Sequence, residues 1–133
     1  MTEAEEVEFT VPAEPSAAGR ARRALAERGL VDGHQEPTLM LLVSELVSNC
    51  VRHAGLEEHE QIHLRARTRD ACAHVEVCDS RRSQNTPHIR QTRFDSLQPG
   101  GLGLQLVDSM ADRWGVRCRD DEMCVWFELD CPA

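Results

Sequence analysis

The sequence predicts an α/β fold: a two-layer sandwich in which a mostly antiparallel sheet is covered on one face by helices. Three observations lead to it. Short runs that alternate apolar and polar residues recur along the chain, as half-buried strands do. The strand-like runs come in consecutive pairs in the middle and at the end, which favours hairpins over parallel crossovers. Between them lies a helical segment that is apolar around most of its circumference, so it must lie inside a domain rather than on it.

The elements follow in order. Val7-Glu8-Phe9-Thr10-Val11 alternates as a strand, and Pro12 and Pro15 end it. Ser16 is placed to cap a helix over Ala17–Arg28, with small or apolar residues at Ala17, Ala21, Ala24 and Leu25. Gly29 and Gly33 flank a loop. Thr38–Ala54 reads as the long helix, closed by Gly55. Leu39, Leu42, Val43, Leu46, Cys50 and Ala54 form its stripe, and Leu41, Val47 and Val51 widen it. Ile62, Leu64 and Ala66, then Ala73, Val75 and Val77, mark two strands. Ser80–Pro99 has no clear period, and such a stretch inside a compact domain is usually functional or mobile. Gly100-Gly101-Leu102-Gly103 then opens a helix over Leu104–Ala111. Two strands close the chain, Trp114–Cys118 and Cys124–Leu129. The expected order is β-α-α-β-β-loop-α-β-β, with no internal repeat.

Composition bounds the function. The 133 residues fit one domain, 1–133. A net charge of -8 repels phosphate backbones, so direct nucleic-acid binding is not expected. The basic stretch Gly19-Arg20-Ala21-Arg22-Arg23 runs against that trend and reads as a solvated helix face or a partner patch. No segment approaches the roughly 18–20 apolar residues of a membrane span. The acidic start Met1-Thr2-Glu3-Ala4-Glu5-Glu6 is unlike a signal peptide, so a cytoplasmic protein is expected. Cys50, Cys72, Cys78, Cys118, Cys124 and Cys131 show no C-x-x-C spacing, and they are expected to be small hydrophobic filler rather than metal ligands.

Three places can carry chemistry. Glu45 and Asn49 are four apart and share one face of an otherwise apolar helix. A carboxylate there is costly unless paired or solvated by a site. Asn49 offers a hard amide oxygen suited to Mg²⁺, and Glu45 could accept a proton. The same pair also fits a polar stripe at the core edge, with Arg52 neutralising Glu45. The glycine run before a helix lets backbone approach a phosphate, but tight turns use glycine as well. Asp79 ends a strand, where a carboxylate can accept hydrogen bonds from a ligand edge or simply shape a turn.

Together these residues resemble a known family. Glu45-Leu-Val-Ser-Asn49-Cys-Val-Arg52-His53-Ala54 resembles the N-box of the GHKL ATPase superfamily, most closely that of the anti-sigma-factor serine kinases and their short bacterial relatives. The strand-terminal Asp79, a variable loop, and a Gly-Gly-x-Gly-Leu run before a helix follow in the same order. Met110-Ala-Asp-Arg-Trp-Gly115 and Val125-Trp-Phe-Glu-Leu129 resemble the end of the family's domain. The likeness covers about Val7 to Leu129.

The resemblance implies ATP and Mg²⁺ as cofactors. It implies that Asn49 holds the metal, Glu45 is the catalytic carboxylate and Asp79 bonds the adenine amino group. Gly100, Gly101, Leu102, Gly103 and Leu104 would form the phosphate loop, and a stretch at about 80–100 would be the lid. Arg52 and His53 would contact phosphate, although a histidine there also fits a packed or capping role. The implied function is an anti-sigma regulatory factor with protein serine/threonine kinase activity. Its partners would be a sigma factor and an antagonist protein, and a homodimer is compatible with the family. One departure stands out: the family's first glycine box reads Asp-x-Gly-x-Gly, whereas this chain has Asp79-Ser80-Arg81-Arg82-Ser83. The close backbone approach that glycine permits is lost there. That keeps two alternatives open, a nucleotide-dependent binding module without catalysis and an interaction domain that has lost ATP.

Overall fold

The computed structural model describes residues 5–29, 35–53, 60–80, 103–119 and 122–130. Within them the elements are β1 (Glu5–Pro12), α1 (Ala17–Arg28), α2 (Glu36–His53), β2 (Gln61–Arg69), β3 (Cys72–Ser80), α3 (Gly103–Met110), β4 (Arg113–Arg119) and β5 (Glu122–Asp130). Their order is the one expected from the sequence. The five strands form one sheet in the order β1-β2-β3-β5-β4, and every neighbouring pair is antiparallel.

Register shows why the two faces differ. Phe9 faces Leu64, Leu64 faces Val77, Val77 faces Val125, and Val125 faces Val116. Alternation carries the neighbouring apolar rows to the same side. That side packs beneath α1 and α2 and forms the core, where Leu42, Val43, Leu46, Ile62 and Phe127 lose all contact with solvent. Each such side chain contributes about 1.5–3 kcal/mol by leaving water. The opposite side is free of helices among the described residues and carries charges in cross-strand rows.

The helices fit the expected faces with three corrections. In α1, Ala17, Ala21 and Leu25 are buried, and Gly29 ends the helix in the left-handed region (φ 59°), its N–H bonded to the carbonyls of Leu25 and Ala26. Ser16 stands at the N-cap but does not cap: its hydroxyl donates to Glu14 Oε1 at 2.9 Å instead. In α2 the apolar band is narrower than expected, because Leu41 is exposed and Val51 only half-buried. The helix meets the sheet on one side and α1 and α3 on its flanks, and no other described element packs on the remaining side. Gly33 and Gly55 lie outside the described residues. The third correction concerns cysteine. Cys50 is a buried free thiol, as expected, but Cys78 and Cys124 are joined in a disulfide. They stand directly opposite each other in the β3–β5 ladder.

Candidate functional site

The long helix α2 places Glu45 and Asn49 one turn apart. Asn49 is fully buried, as are Leu46, three residues before it, and Cys50, next to it. Its Oδ1 accepts a hydrogen bond of 2.8 Å from Arg52 Nη2. Its Nδ2 has no partner among the described residues. A buried donor left unpaired costs about 1–3 kcal/mol, so this amide is placed at a local loss of stability. Glu45 is half-buried and makes no ion pair or hydrogen bond with the described residues. Arg52 is exposed and binds Asn49 rather than Glu45, so the reading in which Arg52 neutralises Glu45 does not hold. Residues three apart on a helix are neighbours, whereas seven apart is two turns.

Asp79 is fully buried near the end of β3, opposite Met123 of β5. Strand alternation puts it on the side of Ala73, Val75 and Val77, the side that packs under α2. α3 packs against α2 through a face that buries Leu104 and Val107, and Trp114 Nε1 ties it to β4 by donating to Asp108 Oδ1 at 2.9 Å. Thus α2, β3 and α3, which carry Glu45, Asn49, Asp79 and Leu104, are parts of one layered body. Gly103 is the first residue of α3, so its first turn offers N–H groups that the helix itself does not use. His53 is the last residue of α2. Gly100, Gly101, Leu102 and the 81–99 stretch lie outside the described residues.

The open face holds what the sequence did not reveal. Glu76 is 1% exposed, and its carboxylate takes Arg117 Nε at 3.1 Å and Arg65 Nη1 at 3.7 Å. Nearby, Arg113 and His74 both bond Glu128, and Trp126 stacks on His74 with ring centroids 5.5 Å apart. The Arg113 guanidinium, then His74, holds the Glu128 carboxyl below the usual range. Arg65 and then His63 do the same for Glu8, while burial pushes the Cys72 thiol up. Carboxylate and sulfur atoms of Glu76, Cys78 and Cys124 lie within 4.8 Å of one another. The disulfide and the two arginines already engage all three, so this group is no open metal site. A groove of about 320 Å³ runs between α1 and α2, lined by Arg22, Arg23, Ala26, Glu36, Pro37 and Met40. None of the candidate residues borders it.

Comparison with known proteins places this geometry. A model of the histidine kinase-like ATPase domain matches residues 11–129. No curated protein matches the chain. Among solved structures, the RsbU and RsbW domains of Rv1364c from Mycobacterium tuberculosis align with a TM-score of 0.69 at 17% identity. That alignment covers 95% of this chain and 32% of the other, so the chain spans about a third of that solved chain. The catalytic domain of histidine kinase ThkA aligns with a TM-score of 0.57 at 17% identity, covering 95% of both chains. These two likenesses are of fold.

Proposed function

The chain belongs to the histidine kinase-like ATPase domain family, and from that premise we propose that it is an ATP- and Mg²⁺-binding anti-sigma regulatory factor with protein serine/threonine kinase activity. The observation that carries the reading is Asn49, a fully buried amide one helical turn from Glu45; its Nδ2 and the Glu45 carboxylate have no partner among the described residues. A fold does not retain an uncompensated donor beside a free acid for stability. The donor set fits the metal: Asn49 Oδ1 is a hard oxygen, and its present partner, Arg52, is an exposed side chain that can give it up. When bound, Mg²⁺ would neutralise charge on the phosphates.

The chain's own residues take the other roles. Asp79 accepts a hydrogen bond from the adenine amino group. Leu104 closes the apolar wall beside α2. The first turn of α3 and the glycine run at Gly100–Gly103 offer N–H groups to the phosphates, and Arg52, released from Asn49, turns toward them, with His53 at the same helix end. Glu45 takes the proton of the acceptor hydroxyl as its oxygen bonds the γ-phosphorus and ADP leaves. The acceptor is a serine or threonine of an antagonist protein, and the chain also sequesters a sigma factor. We place the protein in the cytoplasm, and no helix among the described residues is long and apolar enough to cross a membrane. A homodimer is compatible with this reading.

A second reading is favoured by one observation. Asp79 is followed by Ser80-Arg81-Arg82-Ser83, without the glycines that let a backbone close on a nucleotide. That suits a nucleotide-dependent binding module without catalysis. Titration with ATP, with and without Mg²⁺, beside Asn49→Ala tests the common part: wild type binds, and the variant loses at least about a hundredfold, some 2.7 kcal/mol. No binding at millimolar ATP sinks both readings. Labelled ATP and a candidate antagonist then separate them, since binding without phosphoserine leaves only the module.

A further inference from the structure

The Cys78–Cys124 bond is buried, its residues 3% and 0% exposed, so exchange at it requires the strand end to open first; it differs from a core staple in position, span and surroundings. In position, the residue after Cys78 is Asp79, and only Asp79 and Ser80 continue the β3–β5 ladder beyond the bond, opposite Met123 and Glu122. Terminal rungs open most readily, so the bond stands at the point where the ladder passes into the strand end that carries the buried carboxylate. In span, the two cysteines are 46 residues apart, and that interval contains the glycine run, α3 and β4. The bond therefore ties the adenine side of the candidate site to the far end of the segment that would supply its phosphate side.

The surroundings are ionic. His63, Cys78, Cys124 and Arg117 stand in one row across β2, β3, β5 and β4. Glu76 reaches within 4.8 Å of both sulfurs and can accept a hydrogen bond from a released thiol. Opening the bond thus leaves two thiols in a polar layer that can satisfy them. The core has its own cysteine, Cys50, and buries it as a free thiol. In the cytoplasmic setting proposed above, a disulfide is transient by default.

We propose that Cys78 and Cys124 are a redox-active pair: their disulfide locks the end of β3 at Asp79, and their dithiol releases it, with nucleotide affinity following. The reaction is exchange with two equivalents of a small thiol. The Sγ–Sγ bond breaks, each cysteine gains one proton and one electron, and the two small thiols lose them to become a disulfide. The nucleotide half rests on the ATP reading above. The strand half does not.

The test uses the full chain, oxidised with a small disulfide and its remaining thiols then blocked with N-ethylmaleimide, before one half is reduced with dithiothreitol. Peptide mass spectrometry should find Cys78 linked to Cys124 in the oxidised form, lost on reduction and regained on reoxidation. Amide hydrogen exchange at Val77–Ser80 and Met123 should be at least about tenfold faster in the reduced form. Mg-ATP affinity should fall at least about tenfold on reduction and return on reoxidation. In Cys124→Ser the two treatments should give the same protein, and the reduced wild type serves the same comparison without any substitution. A link through Cys72 or Cys118 instead, or equal exchange in the two forms, overturns the proposal. Faster exchange with equal ATP affinity overturns its nucleotide half. Faster exchange with no ATP binding in either form upholds the redox-controlled strand and sinks the ATP reading.

Discussion

On the open face of the sheet, Glu76 is 1% exposed and is held by two arginines. On the helix-covered side, Asn49 is 0% exposed and one of its two polar atoms has no described partner. Both are buried polar side chains, and burial alone does not separate them. Satisfaction does. A carboxylate clamped between guanidiniums is a closed structural unit, and removing one partner exposes its full desolvation cost. An amide with a spare donor costs stability as it stands and gains only when something binds. The contrast assigns the open face to holding the strands together and the α2–β3 side to function.

The contrast can be broken most sharply at Arg117. Arg117→Ala removes the bonded guanidinium from the buried Glu76 and leaves it Arg65 at 3.7 Å. Stability should fall by about 3 kcal/mol, the lower end for an opened buried pair because Arg117 itself is half exposed. Urea denaturation reads it, and ATP binding should be unchanged. A loss below about 0.5 kcal/mol would mean that solvent already satisfies Glu76. The double variant Glu76→Leu with Arg117→Met should recover most of the loss, since an apolar pair of similar volume needs no compensation.

A smaller effect is expected at Gly115, on the same face. A Cβ there would stand 2.8 Å from Trp126 Nε1 and 2.9 Å from two ring carbons. Gly115→Ala must therefore lift the indole from its place over β4 and from its stack on His74. The expected cost is about 1–2 kcal/mol, with a change in tryptophan emission. Unchanged emission would show that the ring does not rest on Gly115.

How much of this was legible follows from what each feature depends on. Element order was legible because period and paired strand runs are local. So was the shared face of Glu45 and Asn49, which needs only helix spacing. The Asp70-Ala71 hairpin turn was not, because both residues take positive φ (54° and 61°) and Ala71 stands where glycine is usual. Glu76 and the Cys78–Cys124 pair were hidden for a deeper reason. Their partners lie on β2, β4 and β5, and no alternation pattern reveals that β3 pairs with β5 or in what register. The Arg52–Asn49 bond was within reach, since three-residue spacing on a helix implies contact, and assigning Arg52 to the more distant Glu45 followed charge instead of geometry.

Asn49→Ala sharpens the contrast from the other side. It removes an unsatisfied donor and leaves a small void, two effects of opposite sign. Stability should change by less than about 1 kcal/mol, well under the Arg117 effect, while Mg-dependent ATP binding is lost. A loss of about 3 kcal/mol would make Asn49 a structural residue like Glu76 and erase the distinction between the two faces.

The mildest test lies at Glu128, which is on the open face and paired like Glu76 but one-quarter exposed. Arg113, then His74, lowers its native pKa below the ordinary 4.5. The unfolded chain therefore takes up this proton first as pH falls, so stability from Glu128 is full above the ordinary value and drains away as pH drops through the native one. Glu128→Gln should be slightly less stable than wild type at about pH 6, and the gap should narrow as pH falls below the ordinary 4.5 and shrink in high salt. Parallel stability curves over that range would show that the Arg113–Glu128–His74 group adds nothing measurable. Glu76 is far more deeply buried than Glu128, so a stabilising role for its pairing alone would tie that role to burial rather than to charge.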